Sequence, residues 1–326
     1  MNKILEQLDL KNLPAAFLQE GALSSGSFPE NNAWFLQADF LKQQTTNLGF
    51  DEELTLAIME AGRTVGNNEA AVRFLWHSRH LLLHDKLIGI SNEWPLPLKE
   101  PLFFVLMFLS ALPDLIKSHA EMRIPVNITE DTLSDLPLWI RHHRTKTGQF
   151  GLPVPSWLAN HFCTKIFKLG RLQFEFNRLP DDIPTLRNLK KGTPILGVHI
   201  PATGPLETEA SMDSFRQALY FFPTFFPTYA FSAFTCRSWL LDPILEQILP
   251  QTSNLVRFQK LWHLHPVAGA THHQTFERVF GDRHLPLEQV PRNTSLQKAV
   301  YAHLEKGGKV CEGGGIIFAD EIDIRT

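Results

Sequence analysis

Two titratable side chains lie in segments whose residue pattern is typical of β-strands. His199 is the one titratable residue of the apolar run 193–201, near its carboxyl end, where open α/β sheets usually place their functional sites. Glu175 lies in residues 167–178, which alternate apolar and polar side chains. Either group is a candidate general base. The alternatives are a histidine hydrogen-bonded within the sheet and a carboxylate in solvent.

Cys236 ends the next strand-like run, residues 229–236. If this strand lies beside the one that carries His199, the two side chains form a thiol nucleophile with its general base. Free cysteine is also among the most buried residue types, so an inert core thiol is the competing interpretation. Asp242, just before Pro243, is interpreted as the N-cap of a short helix.

Long polar side chains follow the polar faces of two predicted strands. They are Arg171, Gln173 and Glu175 in residues 167–178, and Arg257, Gln259 and His263 in residues 254–264. We predict a shared cleft in which Arg171, Arg257 and Gln259 bind a carboxylate or phosphate of a cofactor. The alternative is a pair of polar faces that only contact solvent.

The candidate residues depend on an alternating order of elements in the C-terminal half. Apolar spacing predicts strands at residues 193–201, 229–236 and 254–264, with helices at 212–222 and 242–248 between them. The upstream strand 167–178 is expected to pair antiparallel with 193–201. This order predicts a mixed sheet flanked by helices.

The N-terminal part is predicted to be helical almost throughout, with capping residues such as Asp51 before apolar segments of helical spacing. The most apolar stretch, residues 102–112, has 11 residues, and a membrane-spanning helix needs about 20. We expect a buried core helix, which Pro113 kinks or splits. Composition changes between residues 130 and 155, and we assign residues 1–131 to a helical domain and 132–326 to a second domain.

Composition excludes several classes of protein. The chain has 326 residues and a formal net charge of −3, and no run of Lys or Arg exceeds two residues. Nucleic acids and membrane surfaces are therefore not expected as partners. Cys163, Cys236 and Cys311 are far apart and form no C-x-x-C pair, which favours reduced thiols in the cytoplasm. The N-terminus lacks the pattern of a signal peptide.

One group of histidines has the spacing of a shared helix face. His77, His80 and His84 are three and four residues apart. A zinc site needs a carboxylate or a further histidine beside them. We interpret them as buried or solvated imidazoles and expect no metal.

Ordered blocks of sequence resemble a family of bacterial acyltransferase-domain proteins. The blocks are FKLGRLQFE, GVHIPATGPL, TCRSWLLDPIL, SNLVRFQ and PRNTSLQKAVYAHLEKGG, with LPDLIKSHAEMRIP and WIRHHRTKTGQFGL upstream. Members of this family pair a helical N-acyltransferase N-terminal domain with a GNAT-like C-terminal domain. The resemblance implies an α+β protein, in which a helical N-terminal domain precedes a GNAT-like mixed β-sheet domain flanked by helices.

The resemblance also implies an activity. It implies transfer of an acyl group from acetyl-CoA or a longer acyl-CoA to a small-molecule amine or a peptide, by direct attack, with His199 or Glu175 as the base. Two alternatives stay open. One is a catalytically silent GNAT-like module that binds a small acidic or peptide ligand. The other is acyl transfer or hydrolysis through the thiol of Cys236.

The turn after residue 201 departs from the pattern of GNAT enzymes, which hold the coenzyme A pyrophosphate on a glycine-rich loop before a helix. Residues 202–211, ATGPLETEAS, contain one glycine, and Pro205 has no N–H to donate. Glu207 and Glu209 place carboxylates where the helix dipole favours a phosphate. These features argue against coenzyme A binding at this turn.

Overall fold

The computed structural model describes residues 2–19, 28–29 and 33–323. The chain divides into two compact units, Met1–Phe167 and Lys168–Thr326. This division comes later than the boundary that composition suggested, between residues 131 and 132. The difference arises because the three helices between residues 126 and 162 pack on helices of the first unit.

The first unit is helical. Its helices are α1 (Asn2–Gln7), α2 (Ala38–Asn47), α3 (Glu52–Gly66), α4 (Glu69–Leu83), α5 (Phe103–Glu121), α6 (Val126–Leu133), α7 (Asp135–Thr147) and α8 (Pro155–Phe162). Asp51 caps α3 as expected, because its Oδ1 accepts a hydrogen bond from the N–H of Leu54 at 2.8 Å. Helices α2 to α5 share one hydrophobic core.

Helix α5 is the centre of that core. Residues 103–112 are all buried, so the expected core helix is confirmed. Among the described residues, α5 is the one helix with the length and apolar composition to cross a membrane, and 67% of its most apolar window is buried inside the protein. The helix continues through Pro113, so the expected split does not occur.

The C-terminal half contains a mixed sheet flanked by helices, which confirms the expected fold class. Its strands are β1 (Ile166–Leu169), β2 (Leu172–Arg178), β3 (Pro194–His199), β4 (Ala233–Ser238), β5 (His263–His265) and β6 (Gly313–Phe318), in the order β1-β2-β3-β4-β6-β5. Its helices are α9 (Thr208–Phe225), α10 (Ile244–Ile248), α11 (Asn254–Gln259), α12 (His273–Thr275) and α13 (Ser295–Glu305).

Strand β3 pairs with its two neighbouring strands in different directions and over different lengths. It pairs antiparallel with β2 over six residue pairs, from Gln173↔His199 to Arg178↔Pro194, as the sequence predicted. It pairs parallel with β4 over only two, at residues 196–197 and 234–235. Beyond these pairs the carboxyl ends of β3 and β4 diverge. We call the resulting gap the β3–β4 opening.

The two faces of the sheet differ in chemistry. One face is apolar and packs against α9, where Phe174 and Phe234 contact Phe215 with ring centroids 5.8 and 4.9 Å apart. The other face is apolar only at one end, where Ile195 and Ile316 pack against residues 183–189. The end of this face nearest the β3–β4 opening carries polar side chains.

Two strand predictions are wrong. Residues 254–264 form α11 and the short strand β5, because Ser253 caps a helix by accepting a hydrogen bond from the N–H of Leu255. Residues 167–178 form a hairpin rather than one strand. Its turn includes Gly170, whose φ of +64° lies in the left-handed region that favours glycine.

The packing at the start of β6 can be tested by substitution of Gly313. A Cβ at this position would lie 2.1 Å from the carbonyl oxygen of Leu241, a backbone atom that cannot rotate away. We therefore expect Gly313→Ala to lower the free energy of unfolding by about 1–3 kcal/mol, as overpacking does. Urea denaturation measures the loss. Gly197→Ala in β3 is the matched control, because its Cβ would make ordinary contacts at 3.6 Å. Equal stability of the two variants would contradict the prediction.

Candidate functional site

Glu175 and His199 lie on adjacent strands and are hydrogen-bonded. Because β2 and β3 are antiparallel and Glu175 pairs with Gly197, the side chain of Glu175 is the diagonal neighbour of His199. The distance between Glu175 Oε2 and His199 Nε2 is 2.8 Å, and the two side chains are 22% and 35% exposed. A carboxylate that accepts from one ring nitrogen fixes the orientation and tautomer of an imidazole. The structure thus brings together the two bases that the sequence proposed.

His199 stands at the β3–β4 opening. Arg237 follows the last parallel pair of β4 by two residues, which sets it level with His199 on the opposite side of the gap. Arg237 pairs with Gly314 of β6, and Gly314 pairs with His265 of β5. With adjacent strands about 4.8 Å apart, His265 lies roughly 10 Å from Arg237 on the same face. The polar end of this face therefore runs across the whole sheet.

A cleft of about 360 Å³ opens at the same end of the sheet. Glu312, in its wall, accepts two hydrogen bonds from Arg237 at Oε2, of 3.0 Å from Nε and 2.6 Å from Nη2. Asp242, on the other side, caps α10 as predicted and also accepts from the N–H of Cys311. The cleft is lined by Asp242, Pro243, Leu264, His265, Pro266, Val267, Ala270, Cys311, Glu312 and Gly313. Its wall is mainly apolar with two carboxylates.

Arg171 lies in the turn between β1 and β2 and reaches the loop after β3. We call residues 200–207 the β3–α9 loop. The guanidinium donates to three of its carbonyl oxygens: Nη1 to Pro201 at 3.0 Å, Nη2 to Gly204 at 3.3 Å and Nε to Pro205 at 3.0 Å. Arg171 was expected to bind a cofactor directly. The structure instead commits its side chain to holding a loop.

The two glutamates at the start of α9 are engaged with other side chains. Glu209 forms an ion pair with Arg216 at 2.7 Å, and Glu207 Oε1 accepts a hydrogen bond from Asn254 at 2.9 Å. The backbone N–H groups of Ala202 and Gly204 donate to no acceptor among the described residues. The loop therefore offers unpaired donors, and the carboxylates that argued against an anion at this turn have partners.

Arg257 and Gln259 lie on a helix rather than on the predicted strand. Both lie on α11, where Arg257 is exposed. Gln259 is buried and donates from Nε2 to the carbonyl oxygens of Leu240 at 3.3 Å and Asp242 at 2.7 Å. Its amide ties α11 to the segment before α10. The expectation of a shared cleft depended on placing both residues in a strand, and that assignment is wrong.

Cys236 points to the other face of the sheet. In the parallel register of β3 and β4, Thr235 and Arg237 share the face of His199, so Cys236 lies on the apolar face. The residue is buried, and burial raises the pKa of its thiol to about 12. A thiol that stays protonated on the far side of the sheet is unsuited to act as a nucleophile with His199.

The first unit holds buried polar groups that are structural in character. Burial lowers the pKa of His119 to about 4, and its ring nitrogens contact the hydroxyls of Thr129 and Thr164. His77 contacts the carbonyl oxygen of Phe17 at 3.0 Å. Over the described part of the chain, no group of three or more His, Cys, Asp or Glu side chains is arranged to hold a metal ion.

The two parts of the sequence match two known domains. Residues 39–164 match the N-acyltransferase N-terminal domain, and residues 166–317 match the GNAT-like C-terminal domain. The chain belongs to a two-domain N-acyltransferase family. The two matched ranges occur in the same order as the two compact units and meet close to the boundary between them. No curated protein sequence matches this chain.

Solved structures of acyltransferases resemble the whole chain. One, an acyltransferase in complex with decanoyl-CoA and teicoplanin, is 27% identical with a TM-score of 0.81, covering 98% of this chain and 99% of that chain. Another, in complex with decanoyl-CoA, is 28% identical with a TM-score of 0.78 over 97% and 98% of the chains. A third, in complex with CoA and 10C-Teicoplanin, is 25% identical with a TM-score of 0.76 over 98% and 99%.

Sequence reasoning missed two residues of the candidate site. Arg237 and Glu312 are 75 residues apart and meet only because β4 and β6 are neighbours. The available signal was the position of Arg237 directly after Cys236, which places its side chain on the face opposite that thiol. Alternation along a strand was sufficient to identify Arg237 as a candidate at the opening.

The three thiols provide a test of the assigned faces of the sheet. We expect iodoacetamide at pH 8 to modify the partly exposed Cys311 in the native protein while Cys163 and Cys236 stay unmodified, because both are buried. Peptide mass mapping over a time course measures the extent at each position. In denaturant the three sites should react alike. Native modification of Cys236 as fast as that of Cys311 would show that its thiol faces the opening.

Proposed function

We propose that the protein transfers an acyl group from an acyl-CoA to an amine. The observation that carries this proposal is the Glu175–His199 pair at the β3–β4 opening. Similarity to acyltransferases with decanoyl-CoA bound, over nearly the whole chain, supports the choice of donor. We place the reaction in the cytoplasm, since the three cysteines are free.

The pair supplies a base for direct attack. The amine nitrogen attacks the thioester carbonyl, the bond to sulfur breaks, and coenzyme A leaves as the thiol once it gains a proton. His199 takes the proton from the amine, and Glu175 stabilises the imidazolium that forms. The acyl group passes directly to nitrogen. No covalent acyl-enzyme forms in this route, in agreement with the position of Cys236.

The β3–α9 loop is suited to the phosphates of the donor. Its unpaired N–H groups and the start of the 18-residue helix α9 provide partial positive charge for a pyrophosphate. The carboxylates of Glu207 and Glu209 are held by Asn254 and Arg216. We propose that this loop binds the pyrophosphate and that the pantetheine arm enters the β3–β4 opening.

The cleft beside Arg237 is our proposed location for the body of the acceptor. It lies at the same end of the sheet as His199, and the carboxylate of Asp242 in its wall favours a positively charged amine over an anion. The complexes of similar acyltransferases with teicoplanin support an acceptor of peptide-like size. A small-molecule amine or a peptide fits this arrangement.

Binding of the donor is the first test of the proposal. We expect isothermal titration calorimetry to detect binding of decanoyl-CoA and of free coenzyme A, because both carry the pyrophosphate. A thermal shift should accompany it, since a ligand that binds only the folded state raises the melting temperature. Acetyl-CoA in the same series tests the preference for chain length. Absence of heat with all three would favour a catalytically silent module that binds another ligand.

Substitution of the base is the second test. His199→Ala should lower kcat by about 10²-fold or more with little change in KM for the donor, as loss of a general base does. Glu175→Gln should lower kcat by a smaller factor, because the imidazole remains but loses its anionic partner. Steady-state assays with decanoyl-CoA and a primary amine measure both.

His263→Ala is the matched control for this test. His263 lies on the same face of the sheet and is bonded to Glu321 at 2.8 Å, but it stands away from the opening. Its activity should stay near that of the unaltered protein. If His199→Ala loses no more activity than His263→Ala, His199 is not the base.

A further inference from the structure

Arg171 connects two segments that flank the proposed donor site. Its backbone N–H donates to Ser214 Oγ of α9 at 2.8 Å, which fixes the β1–β2 turn on that helix. Gly170 permits this approach, because a Cβ there would lie 3.0 Å from the same oxygen. From this anchored turn the side chain extends to the β3–α9 loop. One residue thus holds both the helix and the loop that precedes it.

The bonds of Arg171 determine which way the loop presents its N–H groups. In a trans peptide the C=O and the following N–H point in opposite directions, and the described residues contain no cis peptide. The carbonyl groups of Pro201 and Pro205 point toward the guanidinium. The N–H groups of Ala202 and Leu206 therefore point away from it, to the other side of the loop.

Pro205 fits the same arrangement. The peptide between Gly204 and Pro205 has no N–H, and its carbonyl is the third acceptor of Arg171. The proline therefore lies at a position where the carbonyl of the peptide group faces the arginine and no N–H donor is needed. The loop has one glycine where related folds use several. Its backbone is therefore less flexible, and the hydrogen bonds of Arg171 fix the directions of its carbonyl groups.

We propose that Arg171 is a positioning residue for the pyrophosphate of the acyl donor. It holds the carbonyl side of the β3–α9 loop so that the N–H side faces the phosphates, and its charge lies behind the loop. The inference rests on the proposed use of acyl-CoA. In this inference Arg171 acts through the three carbonyl groups that it binds. A direct contact between its charge and a phosphate would not require those hydrogen bonds.

The experiment combines two substitutions with two donors. Arg171→Gln removes the charge, and Arg171→Lys keeps the charge but not the planar fork. The donors are decanoyl-CoA and the N-acetylcysteamine thioester of decanoic acid, which lacks the pyrophosphate. We expect both variants to raise KM for decanoyl-CoA about tenfold or more, the effect of losing about 1.4 kcal/mol of binding free energy. KM for the truncated thioester should stay unchanged.

A structural measurement accompanies the kinetics. Limited proteolysis within residues 202–206 should be faster in both variants without ligand, because the loop has lost its fixed bonds. Arg178→Gln is the matched control. Arg178 donates to the carbonyl oxygen of Gly192 at 2.9 Å, at the far end of β2, and its loss should leave KM for both donors unchanged.

Each contrary outcome has a distinct meaning. Wild-type KM in Arg171→Lys would show a direct charge contact, and an equal rise for both donors would show general disruption of the site. Either result overturns the inference while the proposed function stands. If the unaltered protein neither binds nor uses decanoyl-CoA, the proposed function is wrong. The assignment of a pyrophosphate to the loop is then wrong as well. Unchanged proteolysis of the loop would overturn the positioning role in every case.

Discussion

The divergence of β3 and β4 is the constraint on which the candidate site depends. Strand β3 is paired with β2 along its whole length but with β4 for only two residue pairs. The full pairing on one side fixes His199 relative to Glu175. The short pairing on the other side leaves a gap at the end of the sheet, where a narrow ligand can enter between two strands. A sheet closed at this position would bury His199 between neighbours.

The apolar face of the sheet keeps the strands and the loop in place despite this gap. Phe174 and Phe234 lie on opposite sides of β3, and both contact Phe215 of α9. Burial of each such side chain contributes about 1.5–3 kcal/mol. Helix α9 thus joins β2 to β4 from behind, where their hydrogen bonding through β3 is incomplete. Because the β3–α9 loop ends at this helix, the same packing sets the position of the proposed phosphate site.

Local patterns predicted the parts of this fold that local interactions determine. The alternation in residues 172–178 and the apolar run before His199 identified β2, β3 and their pairing, and this placed Glu175 beside His199. The pattern failed at residues 254–264, because Val256 and Phe258 suit a buried strand as well as a short helix. Ser253 was the deciding signal. The same alternation, applied to β4, assigns Cys236 to the apolar face, which local reasoning overlooked.

Contacts between distant segments were beyond such reasoning. The guanidinium of Arg171 reaches carbonyl groups 30 to 34 residues away, and no spacing in the sequence marks a backbone oxygen as an acceptor. An arginine in a polar strand pattern suggests a ligand contact, whereas in this turn its donors satisfy the loop. The charges of Glu207 and Glu209 were likewise judged without Asn254 and Arg216. A first-turn carboxylate repels an anion when it is free, and a partner reduces that repulsion.

The anion site that we propose at the β3–α9 loop contains few glycines. A glycine-rich loop lets N–H groups converge because its backbone can adopt many conformations, and it loses more entropy on ordering. Two prolines restrict this loop before folding, at Pro201 and Pro205, and Arg171 fixes the remaining peptide directions from outside. The ordering of the loop therefore depends on the hairpin turn at Gly170, which is itself held by α9. The proposed recognition of the donor therefore depends on the packing of the sheet domain.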